Sequence, residues 1–123
     1  TEFCDMRAAW DALDPAMRKK LEGLNAYHSI YYSQSRLGYT HGTDNLYGFH
    51  DKGEPLRPVV KTHPETGRKS IYTGRHAHGI PGMDPAESER FLDDLLEFAC
   101  RAPRTYLHRW TLGDLVVWDN RCV

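Results

Sequence analysis

The sequence predicts a domain of the α+β or mainly β class, in which helices flank short strands. Two segments with helical spacing of their apolar residues each begin with an aspartate followed by a proline, a pattern typical of helix N-termini. Alternating residues bounded by turn signals predict strands between and after them. Late strands packed with helices are typical of such an enzyme domain. At 123 residues, the chain is long enough for one domain with a buried core.

The N-terminal segment favours two helices. Asp14-Pro15 predicts the start of the second helix, and Gly23 predicts its end because glycine costs about 1 kcal/mol in a helix interior. Residues 27–32 are rich in aromatic side chains and fit either a helix or a buried strand. Apolar residues at helical spacing mark the inward faces of the two helices: Met6, Trp10, Leu13, Met17, Leu21 and Leu24.

A long polar loop and a hairpin follow. Residues 38–53 are rich in glycine, histidine, aspartate and asparagine, and a loop of this length is typical of a binding loop or lid. Residues 57–63 predict a strand, residues 64–67 a turn with a glycine, and residues 69–76 the returning strand. Alternation places the side chains of the first strand on two faces: Val59, Lys61 and His63 on one, Val60 and Thr62 on the other.

The C-terminal part predicts one more helix and two strands. Asp84 as N-cap, Pro85 at the first position and Glu87 in a capping box mark the start of the helix. Residues 106–110 alternate as a strand does, and residues 115–118 predict a short buried strand after a turn. Shared faces are predicted for two sets of side chains: Ser88, Phe91, Leu92, Leu95 and Ala99 inward on the helix, and Tyr106, His108 and Trp110 opposite Leu107 on the strand.

Composition argues against several classes of protein. The net charge is −1 and no basic stripe is present, so a nucleic-acid partner is not expected. No apolar run reaches the roughly 20 residues that span a bilayer, so no membrane segment is expected. Cys4, Cys100 and Cys122 are far apart and odd in number, which favours reduced thiols in a cytoplasmic protein over a disulfide framework.

Histidines and cations cluster on the predicted hairpin. With His76 and His78 on one face of a strand and His63 on its partner, a three-histidine metal site is one interpretation, and ordinary hydrogen bonding in a polar cleft is the favoured one. A second interpretation is that cationic and donor side chains of the hairpin bind a carboxylate. The alternative is that they form an ordinary charged face in contact with solvent. The side chains that would converge on the carboxylate are Lys61, His63, Arg75, His76 and His78.

Four motifs resemble the taurine and 2,4-dichlorophenoxyacetate dioxygenase family. Residues 1–9 (TEFCDMRAA) are similar to the segment after the first two iron ligands, and residues 113–123 (GDLVVWDNRCV) to the strand before the last iron-binding histidine. Residues 62–70 (THPETGRKS) and 74–83 (GRHAHGIPGM) resemble the 2,4-dichlorophenoxyacetate branch. Because the similarity covers the whole chain, residues 1–123 are expected to be an internal part of a single catalytic domain, truncated at both ends.

The resemblance implies a partial double-stranded β-helix, or jelly roll, with flanking helices. It also implies iron(II) held by a His-x-Asp pair and a distal histidine, with alpha-ketoglutarate as cosubstrate. Dioxygen and an aryloxyacetate such as 2,4-dichlorophenoxyacetate would then give phenol, glyoxylate, succinate and carbon dioxide. No His-x-Asp pair occurs in the sequence, so the metal ligands are expected outside the chain and the fragment alone is expected to be inactive.

Site residues follow from the same resemblance. Thr1 matches a threonine that helps to hold the far carboxylate of alpha-ketoglutarate, and His63 and His76 match histidines that meet the aryloxyacetate. Trp110 and Trp118 match aromatic walls of the iron cavity. The residues expected to shape the turn before the distal ligand are Asp119, Asn120 and Arg121.

Two alternatives stay open at the level of sequence. The same chemistry could act on a sulfonate, an alkyl sulfate or another aromatic acid. A hypothesis from another class is a non-enzymatic metal- or ligand-binding module built on His63, His76 and His78. The oligomeric state is open too, and a homo-oligomer is compatible with the sequence.

Overall fold

The computed structural model of the chain describes residues 1–39 and 53–123. In chain order, its elements are β1 (Glu2–Cys4), α1 (Met6–Asp11), α2 (Pro15–Glu22), β2 (Asn25–His28), α3 (Ile30–Ser35), β3 (Leu56–Pro58), β4 (Val60–Thr62), β5 (Lys69–Ile71), β6 (Ala77–His78), α4 (Pro85–Ala99) and β7 (Thr105–Leu107). The predicted mixture of helices and strands is confirmed. None of the helices in these two ranges has the length and apolar character needed to cross a membrane.

Antiparallel pairing organises the described strands into small sheets. β1 pairs with β7, so that Phe3 lies opposite Tyr106. β2 is the central strand between β3 and β6, and β4 pairs with β5. The first and last described strands therefore lie side by side, and each sheet except the β4–β5 hairpin joins segments that are distant in sequence.

Aspartates cap α2 and α4 as the sequence predicts. Asp14 accepts a hydrogen bond from the backbone N–H of Met17 at 2.9 Å, and α2 ends with Gly23 at its C-cap. Asp84 accepts from the backbone N–H of Glu87 at 3.1 Å at the start of α4. These bonds satisfy N–H groups that the first turn of a helix leaves without a partner. Both predicted helix starts are confirmed.

The aromatic stretch at residues 27–32 is divided between a strand and a helix. β2 ends at His28, and Ser29 then caps α3 by accepting a hydrogen bond from the backbone N–H of Tyr32 at 3.2 Å. The structure thus uses both of the alternatives that periodicity left open. Residues 40–52, which make up most of the predicted polar loop, lie outside the described residues.

β4 and β5 form the predicted hairpin, with Val60 opposite Ile71. The prediction of a single first strand over residues 57–63 is wrong, because this segment is divided between β3, which pairs with β2, and β4. The turn contains Gly67, whose φ of 69° lies in the left-handed region that glycine adopts without steric cost. The backbone N–H of Gly67 donates to the carbonyl of His63 at 2.9 Å and closes the turn. The predicted turn chemistry is confirmed.

The returning strand is shorter than predicted. β5 ends at Ile71, and a turn closed by a 2.9 Å hydrogen bond from Ala77 N to Gly74 O separates it from β6. β6 then pairs with β2, with His78 opposite Tyr27. The prediction of one strand over residues 69–76 is therefore wrong, because the strand ends at Ile71 and the chain turns before β6, which pairs in a different sheet.

The core lies where α1 packs against β5 and α4. The predicted inward face of α4 is confirmed, since Ser88, Leu92, Leu95 and Ala99 are buried and Phe91 packs partly buried beside them. The buried apolar cluster comprises Met6, Ala9, Trp10, Leu13, Leu21, Ala26, Val59, Ile71, Ala77, Ile80, Leu92, Leu95 and Ala99.

The C-terminal segment departs from the prediction. β7 ends at Leu107, although the ring of His108 stays within 6.2 Å of the Tyr106 ring and 4.6 Å of the Trp110 ring. Residues 115–118 are neither buried nor a strand, with Leu115 87% and Val117 84% exposed. The prediction of a buried strand there is wrong, because no strand in the described ranges pairs with this segment or covers it.

Candidate active site

His63 lies buried at the end of the first hairpin strand, with 7% of its surface exposed. Its Nε2 is 3.0 Å from Asp119 Oδ2, and its Nδ1 lies 3.3 Å from the backbone nitrogens of both Glu65 and Thr66. Because Nδ1 accepts from backbone N–H groups, the ring proton is on Nε2 and is donated to Asp119. Both ring nitrogens of His63 are therefore engaged within the chain.

Asp119 is the centre of a charged turn. The backbone N–H of Arg121 donates to the Asp119 carboxylate at 2.9 Å and forms an Asx-type turn, and the guanidinium of Arg121 donates to it at 2.9 Å as well. Hydrogen bonds from Arg121, and then from His63, lower the pKa of Asp119 well below its usual range. The same turn is tied to the hairpin, since Arg121 Nη1 is 3.3 Å from Glu65 Oε1 and Ser70 Oγ donates to Arg121 O at 3.3 Å.

Thr1 and Trp110 are in direct contact although they lie at opposite ends of the chain. The indole Nε1–H of Trp110 donates to Thr1 Oγ1 at 2.9 Å. The contact is supported by the β1–β7 pairing, which continues beyond the strands as a 2.8 Å bond from His108 N to Thr1 O. The structure thus brings together a predicted cosubstrate contact and a predicted cavity wall.

Trp118 lies against the same segment. Its ring is 5.2 Å from the ring of Phe3, and its Nε1–H donates to Asn120 Oδ1 at 3.4 Å. Thr1 and Phe3 are two residues apart in an extended segment, so their side chains face the same side. The two predicted wall residues, Trp110 and Trp118, therefore lie over one face of β1.

His76 lies apart from His63, beside α3. Its Nδ1 forms a 2.7 Å hydrogen bond with Ser33 Oγ, which orients the ring. Burial, and then the charge of Arg75, lowers the pKa of His76, so the neutral form is favoured. Its side chain lines a cavity of about 520 Å³. The described residues that line this cavity are His28, Ser29, Ile30, Tyr31, Gly53, Glu54, Pro55, Arg57, Tyr72 and His76.

His28 and Tyr72 form the wall of this cavity that sequence reasoning missed. Their rings stack at 5.1 Å with an interplanar angle of 27°, and Lys61 Nζ lies 3.2 Å from the centroid of Tyr72. Burial, and then the positive charges of Lys61, His76, Arg57 and His78, lowers the pKa of His28. Three of the side chains that the sequence predicts to converge across the hairpin thus act electrostatically on His28: Lys61, His76 and His78.

A second cavity of about 260 Å³ shares Tyr72 with the first. Its other lining residues include His63, Asn120 and Arg121. Tyr72 therefore separates the His28 and His76 side of the molecule from the side that carries the charged turn. No sequence signal marks Tyr72, because its neighbours come from β2 and from the turn at residues 118–121.

The three-histidine site does not form. His63 bonds Asp119 and His76 bonds Ser33, while the His78 ring stacks on Tyr32 at 4.6 Å. Within residues 1–39 and 53–123, no group of three histidine, cysteine, aspartate or glutamate side chains is placed to hold a metal ion. These three histidines therefore share no metal site, because His63 follows β4 and His78 lies in β6, which belongs to a different sheet. By the same observation, the described residues do not supply a three-donor iron site of their own.

Comparison with known proteins points to one family. The family model described as taurine catabolism dioxygenase TauD, TfdA family matches residues 1–123. The chain is 58% identical to the (S)-phenoxypropionate/alpha-ketoglutarate-dioxygenase of Sphingobium herbicidovorans, with 100% of the chain and 44% of that protein covered. It is 45% identical to the alpha-ketoglutarate-dependent 2,4-dichlorophenoxyacetate dioxygenase of Cupriavidus pinatubonensis, with 100% of the chain and 42% of that protein covered.

A solved structure supports the same grouping. The crystal structure of AAD-2 in complex with Mn(II) and N-oxalylglycine superposes with a TM-score of 0.89 at 43% identity, covering 98% of this chain and 47% of that one. The chain therefore spans less than half the length of the relatives that it matches.

Proposed function

Because the chain belongs to the taurine catabolism dioxygenase TauD, TfdA family, we propose that it is part of a longer iron(II)- and alpha-ketoglutarate-dependent dioxygenase acting on aryloxyalkanoic acids. The observation that carries the proposal is the 58% identity, over the whole chain, to a relative named for (S)-phenoxypropionate and alpha-ketoglutarate. The metal ligands are proposed to lie in the rest of the catalytic domain, since the described residues hold no three-donor group. A jelly-roll core is proposed for that domain.

The substrate is proposed to be a 2-aryloxypropionate in preference to an aryloxyacetate. The identity to the phenoxypropionate relative is 58%, against 45% to the 2,4-dichlorophenoxyacetate relative. Hydroxylation of the carbon between the ether oxygen and the carboxylate gives an unstable hemiketal or hemiacetal. Its collapse releases a phenol together with pyruvate from the propionate, or glyoxylate from the acetate. Alpha-ketoglutarate and dioxygen are converted to succinate and carbon dioxide in the same turnover.

Thr1 is proposed to hold a carboxylate of alpha-ketoglutarate. Its Oγ1 already accepts a hydrogen bond from Trp110, so the single hydroxyl proton stays available for donation to an anion. Trp110 and Trp118, over one face of β1, are proposed to wall the cavity beside it. A cytoplasmic location is proposed as well, supported by the free thiols of Cys4, Cys100 and Cys122.

The cavity of about 520 Å³ beside His76 is proposed to receive the aryloxyalkanoate. Its volume lies in the range of small-molecule sites, and aromatic side chains line it together with a few polar groups. Arg57 contributes a guanidinium that makes no ion pair with another described residue, which suits a ligand carboxylate. Substrate contact by His76 is supported by its place in this wall. The substrate contact predicted for His63 competes with the hydrogen bonds that both of its ring nitrogens make within the chain.

The test uses the full-length protein, purified without oxygen and supplied with iron(II), alpha-ketoglutarate and then air. Candidate substrates are the two enantiomers of 2-phenoxypropionate, 2,4-dichlorophenoxyacetate, taurine and an alkyl sulfate. We expect phenol, pyruvate and succinate in equal amounts from (S)-2-phenoxypropionate. If succinate forms only with taurine or the alkyl sulfate, the aryloxy assignment is wrong. If no succinate forms with any of these compounds, the assignment as an alpha-ketoglutarate-dependent dioxygenase is wrong.

A further inference from the structure

The charged turn at residues 118–121 is anchored at a few points. The preceding residues 115–118 form no strand, and Leu115 and Val117 are exposed. Beyond the turn, Cys122 is buried and its carbonyl accepts a 3.1 Å hydrogen bond from Met6 N at the start of α1. Between these points the turn is attached by the hairpin contacts of Asp119 and Arg121 and by the packing of the Trp118 ring against Phe3.

His63 makes the shortest side-chain contact between the hairpin and the turn, and its own ring is buried. The other links from turn to hairpin, from Ser70 Oγ and to Glu65, are 3.3 Å long, and the Arg121–Glu65 pair is exposed. The His63 side chain is 6% exposed and lies 3.0 Å from Asp119. A hydrogen bond between a buried donor and an ionised acceptor is stronger than one shared with water. Its loss leaves a buried ring N–H without a partner.

The geometry assigns His63 as a positioning residue that holds Asp119 and thereby sets the place of Trp118. This inference rests on the proposed function for its effect on catalysis, since Trp118 is a proposed wall of the reaction cavity. His63 has no free ring nitrogen to offer a substrate: Nδ1 takes the N–H groups of Glu65 and Thr66, and Nε2–H is given to Asp119. It acts through the turn and touches no reacting atom.

The roles of the two nitrogens can be separated by substitution. His63→Asn keeps an acceptor near Nδ1 for the hairpin turn but is too short to reach Asp119. His63→Gln places an amide N–H near the position of Nε2 and can restore that bond. Asp119→Asn keeps an oxygen that accepts from His63. Glu97→Gln, which breaks an exposed ion pair with Arg101 on α4, serves as the matched control.

The experiment is fluorine NMR of the full-length protein labelled with 5-fluorotryptophan, with Trp118 assigned through Trp118→Phe. We expect His63→Asn to move the Trp118 resonance and leave that of Trp10 in place, with His63→Gln restoring the position in part. In turnover, His63→Asn should lower kcat by about tenfold, the lower end of the loss seen when an outer hydrogen-bond partner of a site is removed. The KM for the aryloxy acid should stay near its wild-type value, and Glu97→Gln should change neither readout.

The opposite pattern overturns the inference. If His63→Asn raises KM with kcat unchanged and the Trp118 resonance stays in place, His63 contacts substrate and does not position the turn. The inference is also wrong if His63→Asn leaves the Trp118 resonance, kcat and KM all unchanged. If the wild-type protein turns over no aryloxy acid at all, the proposed function fails, while the Trp118 resonance still decides the positioning role. Should His63→Asn fail to fold, Asp119→Ala, which removes the acceptor of the His63 hydrogen bond, is compared with Asp119→Asn, which keeps it.

Discussion

The indole N–H of Trp110 donates to the hydroxyl of Thr1 at 2.9 Å, joining two residues that are 109 positions apart. The contact depends on the pairing of β1 with β7. It leaves the Thr1 hydroxyl proton free to point at an anion, and it fixes the oxygen from which that proton is donated. The orientation of Thr1 is therefore set by the far end of the described chain.

Replacing Trp110 by Phe should weaken the binding of alpha-ketoglutarate. The substitution keeps an aromatic ring and removes the donor to Thr1, and one hydrogen bond is worth about 1 kcal/mol, or roughly fivefold in affinity. Steady-state kinetics of the full-length protein should show the KM for alpha-ketoglutarate raised by about that factor. The KM for the aryloxy acid, measured on the same variant, is the internal control. An unchanged KM for alpha-ketoglutarate would mean that Thr1 does not hold the cosubstrate.

Arg57→Gln should weaken the binding of the aryloxy acid. Arg57 lines the cavity of about 520 Å³, and a charge-assisted hydrogen bond to a carboxylate contributes about 1.5–3 kcal/mol. We expect the KM for 2-phenoxypropionate to rise by roughly ten- to a hundredfold and the KM for alpha-ketoglutarate to stay constant. Arg90→Gln, on the exposed side of α4, is the matched control. Equal KM values for Arg57→Gln and Arg90→Gln would place the substrate carboxylate elsewhere.

Local signals account for the parts of the fold that the sequence predicts well. The helix starts at Asp14 and Asp84 and the turn at Gly67 depend on atoms only a few residues away, so the neighbouring residues are sufficient to predict them. The predictions that fail depend on contacts between residues that are distant in sequence. β6 leaves the hairpin because its partner is β2, and no residue near Ala77 carries that information.

In the candidate site, too, the contacts between residues distant in sequence are the ones that the sequence does not predict. The contact of His63 with Asp119 joins residues 56 positions apart. The family resemblance indicates both as site residues, but it does not predict the hydrogen bond between them. His28 and Tyr72 carry no sequence signal because each looks like an ordinary aromatic residue until the fold places the end of β2 beside the end of β5. Residues 115–118 show that a short apolar run forms a strand only where a partner strand is present to pair with it.

Acidification should destabilise the protein through His28 and His76. Burial is the main cause that lowers both pKa values below the usual 6.5. Since the unfolded chain then binds more protons than the folded one as pH falls through 6.5, the free energy of unfolding falls with pH in that window. Urea denaturation of the full-length protein between about pH 8 and pH 5.5 should show this loss, and His28→Gln should reduce it. A loss of the same size in His28→Gln would assign the effect to other groups.

Ser88→Ala should destabilise the core of the protein. Ser88 is fully buried on α4, and its Oγ accepts a hydrogen bond from the backbone N–H of Ile80 at 3.1 Å. Removing the hydroxyl leaves that N–H buried without a partner, which costs about 1–3 kcal/mol. The free energy of unfolding, measured by urea denaturation of the full-length protein, should fall by that amount. Ser35→Ala, at an exposed hydroxyl at the end of α3, is the control and should change it by less than about 0.5 kcal/mol.

The 123-residue chain on its own should bind no stoichiometric iron(II). Within its described ranges no three donor side chains are placed around one point, and His63 and His76 are already bonded to Asp119 and Ser33. Breaking those bonds to form a metal site would leave buried partners unsatisfied, which opposes binding. Anaerobic calorimetric titration with iron(II), and with zinc and nickel, should show no one-to-one site, while the full-length protein should show one for iron(II). A one-to-one site in the chain alone that disappears in both His76→Ala and His78→Ala would reinstate a histidine metal module.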